Sequence, residues 1–371
     1  MRLAALEPRG FRNLAGARVE LGSGIVVLHG PNGAGKTNLL EAVYFGLTNR
    51  SFRTGNDRDL IAFGEPAARV EIEIDDGRDR PQLLSALERG GERRHLIDGR
   101  KLDPSSERPL VSVFHPDRLQ LVKGPAAHRR AHVDRLVAAL WPARADLRSR
   151  FGRTLAHRNA LVSRINAGLA PPASLPSWDE RLADEAEPLI ASRAEALAQL
   201  AVPFAELGAG LGLEGAEVSY RPRHDGDRDA LLAELADRRT ADLGRAYTSY
   251  GPQLDEVELR LGGKALRRFG SQEQQRAALL ALLFAERSAL IDAGRRPPIM
   301  LLDDVMSELD PERRGLLVEA LKGSGQAILT ATEADHVPAA AGTEIAPIAV
   351  SRGSALQARD GGDSGDGREA A

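Results

Sequence analysis

Residues 30–37 read Gly30-Pro31-Asn32-Gly33-Ala34-Gly35-Lys36-Thr37, and this stretch decides the fold of the chain. The spacing Gly-x4-Gly-Lys-Thr is typical of a phosphate-binding loop, whose glycines let the backbone amides curl around a phosphate group. In such a loop the lysine reaches the β- and γ-phosphates of a nucleotide, and the threonine hydroxyl binds Mg²⁺. The simpler interpretation is a glycine-rich turn that only caps a helix.

The residues on either side of the loop favour phosphate binding. The apolar run Ile25–Leu28 directly precedes it and predicts a buried strand. Beyond the loop, apolar residues recur at the spacing of one helix face, at Leu39, Leu40, Val43 and Leu47. A strand, a glycine loop and a helix in this order place the loop at the helix N-terminus, where the helix dipole attracts phosphate.

A second segment supplies the acids that such a site needs. Ile299–Leu302 is another apolar run, and Asp303 and Asp304 follow it directly. We expect Asp303 to hold Mg²⁺ together with Thr37, and Asp304 to orient or deprotonate the attacking water. The next residues, 307–310 (Ser-Glu-Leu-Asp), resemble the loop that crosses the dimer interface in ABC-type ATPases. The sequence therefore predicts an ATP-binding protein that uses Mg²⁺.

A third segment resembles the signature of those ATPases, a serine at a helix start that contacts ATP bound to the opposite subunit. Phe269–Arg276 contains Ser271, followed three residues later by Gln274. The same pair is also an ordinary helix capping box. Its position upstream of Asp303 favours the signature interpretation.

Hydrophobic periodicity predicts an α/β domain interrupted by a mainly helical second lobe. The resemblance of the motifs above to those of ABC-type ATPases implies that the α/β part is a P-loop ATPase lobe of the ABC/SMC-head type. The predicted parts are 1–125 and 247–351 for the ATPase lobe, 126–246 for the helical insertion, and 352–371 for a disordered tail. Pro188 and Pro203 lie inside the last helical stripe of the insertion, and we expect them to kink or divide that helix.

Composition excludes several classes of protein. The chain has 371 residues and a formal net charge of -3, so any nucleic-acid surface must be local. It has no cysteine, which rules out disulfides and thiolate chemistry. An acid and a proline follow the first methionine too soon for a signal peptide, and no apolar run reaches the length of a membrane span. We expect a cytoplasmic protein with no membrane contact.

Several segments, in one order along the chain, give a resemblance to the RecF family, bacterial recombinational-repair ATPases related to the heads of SMC proteins. They are Gly10–Asn13, Gly30–Ala42 with Ser51–Thr54, Phe114–Gly124 continuing through Arg129 and Arg130 to Asp134, Gly251–Pro252, and the signature and acid segments. The run from Phe114 is the most distinctive, because general ABC-type ATPases do not have it.

The resemblance implies that two heads close face to face over two ATP molecules. It adds Arg12 and Asn38 to the ATP-binding residues of the loop. It also implies that Ser271, Gln274, Ser307 and Asp310 act across the dimer interface. Hydrolysis would be slow, weak and stimulated by DNA, so that ATP times the opening of a clamp.

The resemblance further implies binding to gapped DNA or to junctions of single and double strands. With the partners RecR and RecO, such a protein helps to load RecA onto strands coated by SSB. Lys123, Arg129 and Arg130 are candidates for phosphate contacts, and a solvated helix face is the alternative for these three.

Two departures from the family pattern stand out. Glu273 replaces the glycine of the signature, and residues 253–256 (Gln-Leu-Asp-Glu) replace the usual His-Arg-Asp-Asp after Gly251–Pro252. We expect the Glu273 side chain to face solvent, because Ser271 and Gln274 can cap the helix without it. The alternatives left open are an ABC-type ATPase subunit, another SMC-like head without a role in RecA loading, and a catalytically silent scaffold.

Overall fold

The computed structural model describes residues 1–102, 109–116, 119–224, 227–323, 325–339, 342 and 344–356. Its strands are β1 Arg2–Arg9, β2 Val19–Glu20, β3 Ile25–His29, β4 Ala67–Asp75, β5 Gln82–Glu88, β6 Arg93–Ile97, β7 Arg100–Lys101, β8 Val111–Phe114, β9 Ala216–Arg221, β10 Glu256–Leu261, β11 Lys264–Ala265, β12 Ile299–Leu302, β13 Ala327–Ala331, β14 Ile345–Ser351 and β15 Ser354–Leu356. Its α-helices are α1 Lys36–Thr48, α2 Gln120–Lys123, α3 Ala126–Leu140, α4 Leu147–Asn166, α5 Leu175–Gly210, α6 Arg228–Asp237, α7 Arg239–Arg245, α8 Leu266–Phe269, α9 Gln272–Asp292 and α10 Pro311–Leu321. Among the helices of these ranges, none combines the length and the hydropathy needed to cross a membrane.

The chain divides into two compact units, residues 1–115 with those from 298 onward, and residues 116–297. The sequence analysis assigned residues 247–297 to the ATPase lobe, whereas this division groups them with the insertion. The reason is that β10 pairs with β9 along its whole length and α9 packs against α5. The lobe boundaries themselves stay a prediction.

The first unit contains a mainly parallel sheet of order β15-β14-β3-β13-β12-β8. Strands β3 and β12 lie on either side of β13 and run parallel to it, as the predicted runs Ile25–Leu28 and Ile299–Leu302 require. Both are buried nearly throughout, which is typical of parallel strands covered on two faces. Since parallel strands end at one edge, the glycine loop after β3 and the acids after β12 come together there.

An antiparallel sheet of order β2-β1-β4-β5-β6-β7 completes the first unit. Helix α1 packs against β4 and β5, and the apolar faces of these elements form a core that is almost fully excluded from solvent. Its most buried members include Leu40, Phe45, Val70, Ile72 and Leu87. This packing fixes the helix that follows the glycine loop.

The second unit is mainly helical, and its longest element is α5. Pro188 and Pro203 lie inside α5, but the helix continues through both. Of the two predicted outcomes, a kink or a division, the structure excludes the division. A proline removes one backbone hydrogen bond and crowds the preceding turn. Here the packing of α5 against α4, α9 and β9 holds the neighbouring turns in place.

Two buried arginines connect distant segments of the second unit through ion pairs. Arg193 donates to both carboxylate oxygens of Asp134 at 2.7 and 3.0 Å and to Asp255 at 3.0 Å. Arg158, which is fully buried, donates to Asp179 at 2.8 Å and to Asp242 at 2.9 Å. Removing one member of such a group leaves an uncompensated charge in the interior.

The end of the chain differs from the sequence prediction. The segment from residue 352 was expected to be disordered, but Ser354–Leu356 forms β15 and pairs with β14. Arg352 and Gly353, whose φ angles are 48° and 77°, form the tight turn between these strands. The predicted tail residues 357–371 lie outside the described residues.

Candidate nucleotide-binding site

The glycine loop leaves β3 in a conformation that only glycine adopts easily. Gly30, Gly33 and Gly35 have φ angles of 149°, 80° and 108°. A side chain at Gly30 would place its Cβ 2.2 Å from the carbonyl oxygen of Val350, so the backbone of β14 closes this side of the loop. A Cβ at Gly33 would meet nothing within 4 Å. The loop is therefore closed towards the sheet and open on its other side.

The turn between β14 and β15 braces the loop. The amide of Gly353 donates to the Ala34 carbonyl at 2.8 Å, and the amide of Ala15 donates to the Gly353 carbonyl at 3.0 Å. A Cβ on Gly353 would lie 2.0 Å from the carbonyl oxygen of Asn13. Segments from both ends of the chain thus hold the loop in shape.

The start of α1 presents unpaired backbone donors. No side chain caps this helix, whose N-cap is Gly35. Among the described residues, the amides of Gly33, Gly35, Lys36 and Thr37 donate to no protein acceptor. Unpaired amides at a helix N-terminus form a ready site for an anion.

Lys36 is folded back over the loop. Its Nζ donates to the carbonyls of Gly30 at 2.7 Å and Pro31 at 3.0 Å. Burial lowers the pKa of Lys36 from its ordinary value, while the nearby charges of Asp304 and Asp303 oppose that shift. An incoming phosphate would replace two neutral carbonyls with a charged acceptor, which favours the cation.

Asp303 and Thr37 meet at the edge of the sheet. The Thr37 hydroxyl lies 2.9 Å from Oδ1 and 3.1 Å from Oδ2 of Asp303. Asp303 is only 4 % exposed and also accepts from the hydroxyl of Thr330 at 2.8 Å. The ring Nε2 of His115 lies 3.5 Å from Asp303 Oδ2. The two groups predicted to hold a metal are therefore adjacent.

Asp304 has different surroundings from its neighbour. It is exposed, and its backbone has a φ of 50°, which is unusual for a residue with a side chain. The Asp304 amide donates to the Thr330 hydroxyl at 2.8 Å. One hydroxyl therefore fixes both acids, holding the Asp303 carboxylate and the Asp304 backbone. Sequence reasoning did not single out Thr330, because a threonine within a buried strand carries no distinct pattern.

The loop after the two acids is held from both ends. Ser307 donates its hydroxyl to the Asp304 carbonyl at 2.9 Å, and the Asp310 side chain caps α10 through the amide of Arg313. Between them, Nε of Arg314 donates to the carbonyls of Met306 and Leu309 at 2.9 and 3.0 Å. The sequence analysis did not single out Arg314 either. Ser307 and Asp310 are exposed, as a role at an interface requires.

A second set of polar residues lies along α1, next to the loop. Glu41 is fully buried, and Nε and Nη2 of Arg12 donate to its two oxygens at 2.9 Å each. Asn38 donates to Asn13 at 2.6 Å and accepts from Arg53 at 2.7 Å. Glu41 thus anchors the predicted nucleotide residue Arg12 to α1. Contacts of Arg12 and Asn38 with a nucleotide stay a prediction.

The signature segment lies in the second unit and forms the predicted capping box. Ser271 Oγ accepts from the Gln274 amide at 3.1 Å, and Gln274 Oε1 accepts from the Ser271 amide at 2.9 Å. Ser271 and Glu273 are both exposed. Gln275 is buried and donates to the carbonyls of Leu266 and Gly270, which fixes the turn that precedes Ser271. The hydroxyl hydrogen of Ser271 is left to donate elsewhere.

The three residues predicted to contact DNA have different surroundings. Lys123 is exposed. Arg129 is only 5 % exposed, and its guanidinium donates to Glu256 at 2.7 and 3.0 Å and to the Gly124 carbonyl at 2.7 Å. Arg130 donates to the Asp255 carbonyl at 2.6 Å, and burial lowers its pKa from the ordinary value. This geometry argues against a phosphate contact by Arg129, because the buried ion pair with Glu256 would have to break.

The chain is similar to known proteins over most of its length. The family described as the RecF/RecN/SMC N-terminal domain matches residues 2–352. The DNA replication and repair protein RecF of Heliobacterium modesticaldum is 37 % identical, over 90 % of this chain and 92 % of that protein. RecF of Myxococcus xanthus is 36 % identical, over 92 % and 93 %.

Two solved structures have the same fold. The recombination mediator protein RecF with ATP, of the RecFOR pathway, has a TM-score of 0.80 at 24 % identity, over 96 % of this chain and 98 % of that one. The Smc head domain of Pyrococcus furiosus has a TM-score of 0.59 at 17 % identity, over 95 % of both chains. The predicted fold class, an SMC-head-like α/β lobe with a mainly helical insertion, is confirmed. The chain belongs to the RecF family of DNA replication and repair proteins.

Proposed function

We propose that the glycine loop binds ATP and that Thr37 and Asp303 hold its Mg²⁺. The observation that carries this proposal is the 2.9 Å contact between the Thr37 hydroxyl and the buried Asp303 carboxylate. A turn that only caps a helix has no need of a buried carboxylate beside it, since burying an acid costs free energy. Unpaired amides, a lysine and two oxygen ligands together fit a triphosphate with a hard cation.

Each residue then has a separate role. Lys36 would leave the Gly30 and Pro31 carbonyls and bind the phosphates, while Thr37 and Asp303 separate to ligate the metal. Bound Mg²⁺ would neutralise charge on the phosphate oxygens. Asp304 is exposed and free of the metal-ligating role, so its carboxylate is available to orient or deprotonate the attacking water.

The signature and the loop at 307–310 support an ATP-dependent homodimer. Ser271 accepts a hydrogen bond from its own helix, and its hydroxyl is therefore available to donate to the γ-phosphate held by a second copy. Gln274 supports that serine, and Ser307 and Asp310 would contact the partner across the interface. We expect hydrolysis to be weak and stimulated by DNA, so that ATP acts as a switch.

The proposed role is in recombinational repair and replication maintenance. Membership of the RecF family supports binding to gapped or junction DNA. The relative described as a recombination mediator of the RecFOR pathway supports work with RecR and RecO in loading RecA. Lys123 and Arg130 stay candidates for phosphate contacts, and the proposed place of action is the cytoplasm. The alternative is an ABC-type ATPase subunit or another SMC-like head with no role in RecA loading.

Sedimentation velocity with ATP, ADP or no nucleotide, with and without gapped duplex DNA, tests the proposal. We expect dimers only with ATP and Mg²⁺, and more of them when DNA is present. Dimers that form equally with ATP and with ADP would refute the proposal that ATP acts as a switch. ATP-dependent dimers whose amount does not change when DNA is added would favour the alternative of a head without a repair role.

A further inference from the structure

A cleft of about 580 Å³ opens in the first unit at the C-terminal end of α1. Its walls come from residues 48–51 at that end, from Thr54, Gly55 and Asp57, and from Arg93 and His95 of β6. Every lining residue is polar, charged or glycine. A site without apolar walls is suited to a polar or charged ligand and not to an apolar one.

The charged groups of the cleft are mainly positive. Arg50 and Arg93 line it with one acid, Asp57. Arg50 is exposed, and no ion pair of its guanidinium occurs among the residues that the structure describes. Arg100 extends this charge, because it pairs with Ile97 across β6 and β7 and therefore lies on the same sheet face as Arg93. Arg50 and Arg93 therefore face one carboxylate among the lining residues, and the carboxylates of Glu41 and Asp59 lie behind the lining, bonded to Ser51 and Thr54.

The cleft is already held in shape. Arg93 donates to Asp57 at 3.1 Å and also to the carbonyl of Asn49. Ser51 Oγ accepts from the amides of Arg53 and Thr54 at 2.9 and 3.0 Å, and donates to the buried Glu41 at 2.5 Å. A ligand would therefore meet Arg93 and Ser51 in positions that are fixed beforehand, which reduces the entropy cost of binding.

We propose that this cleft binds the phosphodiester backbone of DNA, with Arg50 and Arg93 as the central cations and Arg100 as their extension. Arginine, serine, threonine and asparagine are the side chains that contact phosphate and sugar in protein–DNA complexes. His95 is the one aromatic ring among the lining residues, and no Phe, Tyr or Trp lies there to stack a base, so we expect the contact to be largely independent of sequence. The inference rests on the proposed function and names where the DNA of that function binds.

Salt dependence gives the site a measurable signature. Each phosphate neutralised on duplex DNA adds about 0.9 to the slope of log affinity against log salt, and about 0.7 on a single strand. Removing Arg50 and Arg100 should therefore make the slope for duplex DNA shallower by roughly 2. Arg93 is left in place, because its contacts with Asp57 and Asn49 support the cleft.

The test compares Arg50→Ala/Arg100→Ala with wild type in fluorescence anisotropy with gapped duplex DNA, ATP and Mg²⁺ at several salt concentrations. The matched control is Arg153→Ala/Arg221→Ala, which removes two exposed arginines of the second unit. We expect the cleft variant to bind at least tenfold more weakly at low salt with the shallower slope, and the control to match wild type.

Three outcomes would overturn the inference. They are unchanged DNA binding by the cleft variant, an equal loss in the control, and loss of inorganic phosphate binding without loss of DNA binding. The last would mean that the cleft takes a free anion instead of a polymer. Sedimentation with ATP is measured in parallel. If wild type forms ATP-dependent dimers but does not bind DNA, the DNA part of the proposed function is refuted. If wild type binds DNA and the cleft variant binds it equally well, only this site is refuted.

Discussion

The substitution Thr330→Val isolates one hydroxyl that fixes both acids of the nucleotide site. The side chain is 1 % exposed, donates to Asp303 at 2.8 Å and accepts from the Asp304 amide at 2.8 Å. Valine has nearly the same shape, so the packing of β13 is kept. The change leaves the amide without a partner, which costs about 1–3 kcal/mol, and removes a hydrogen bond to a charged group worth about 1.5–3 kcal/mol.

Part of this loss is recovered, since the new methyl group is buried and contributes about 0.8 kcal/mol. We expect the free energy of unfolding to fall by roughly 2–5 kcal/mol. The larger effect should be on hydrolysis. Asp304 loses the bond that holds its unusual φ, a conformation that costs about 1–2 kcal/mol for a residue with a side chain. We therefore expect kcat to fall at least tenfold while the Kd for ATP changes less than threefold.

Urea unfolding, single-turnover ATP hydrolysis and ATP binding of Thr330→Val and Thr330→Ser would be compared with wild type. Serine keeps the hydroxyl and should restore hydrolysis to within about threefold of wild type, an activation difference of roughly 0.7 kcal/mol. If valine hydrolyses ATP as fast as wild type, or if serine is impaired as much as valine, the hydroxyl does not position the acids.

Four further predictions follow from the site and the second unit. Lys36→Ala should fold normally but lose ATP-dependent dimerisation in sedimentation, because the phosphates lose their main side-chain partner; undiminished dimers would contradict the role of the loop. Asp304→Asn should still bind ATP and Mg²⁺ but should hydrolyse ATP slowly. Its complex with DNA should therefore last longer than that of wild type in a dissociation assay, and a shorter lifetime would contradict the proposal that hydrolysis times release from DNA. Glu273→Gly should leave the ATP-dependent dimer Kd nearly unchanged if the glutamate faces solvent, whereas a tenfold tightening, largest at low salt, would show that the residue weakens the contact. Arg193→Met should lower the free energy of unfolding by about 3–5 kcal/mol, because two carboxylates stay buried without it; a loss below about 1 kcal/mol in urea unfolding would show that water reaches them.

The elements around the nucleotide site could be predicted because their signals are local. A glycine loop between an apolar strand and an amphipathic helix has one common interpretation, and two acids after a second apolar run complete it. The capping box of Ser271 and Gln274 is equally local and is confirmed by the structure. Each of these patterns, taken by itself, consists of residues within a few positions of one another.

The residues that sequence reasoning missed depend on contacts between distant segments. Thr330 and Glu41 act through partners on other elements, and nothing in their neighbours along the chain indicates this. Arg129, a proposed phosphate contact, likewise has a partner that its local sequence does not indicate. Its guanidinium donates in the interior to Glu256, which lies more than a hundred residues later in the chain. The continuous α5 has the same origin, since tertiary packing outweighs the local effect of two prolines.

The brace that β14 and Gly353 provide has a consequence for synthesis of the protein. Roughly 310 residues separate Lys36 from Val350, whose carbonyl closes the loop at Gly30. At about 5–20 residues per second, a ribosome needs on the order of 15 to 60 s to make that stretch. The glycine loop therefore leaves the ribosome well before its wall exists, and a nascent or prematurely terminated chain lacks a finished nucleotide site. We therefore expect chains that end before β14 to bind ATP poorly, so that the proposed dimer would form only from full-length copies.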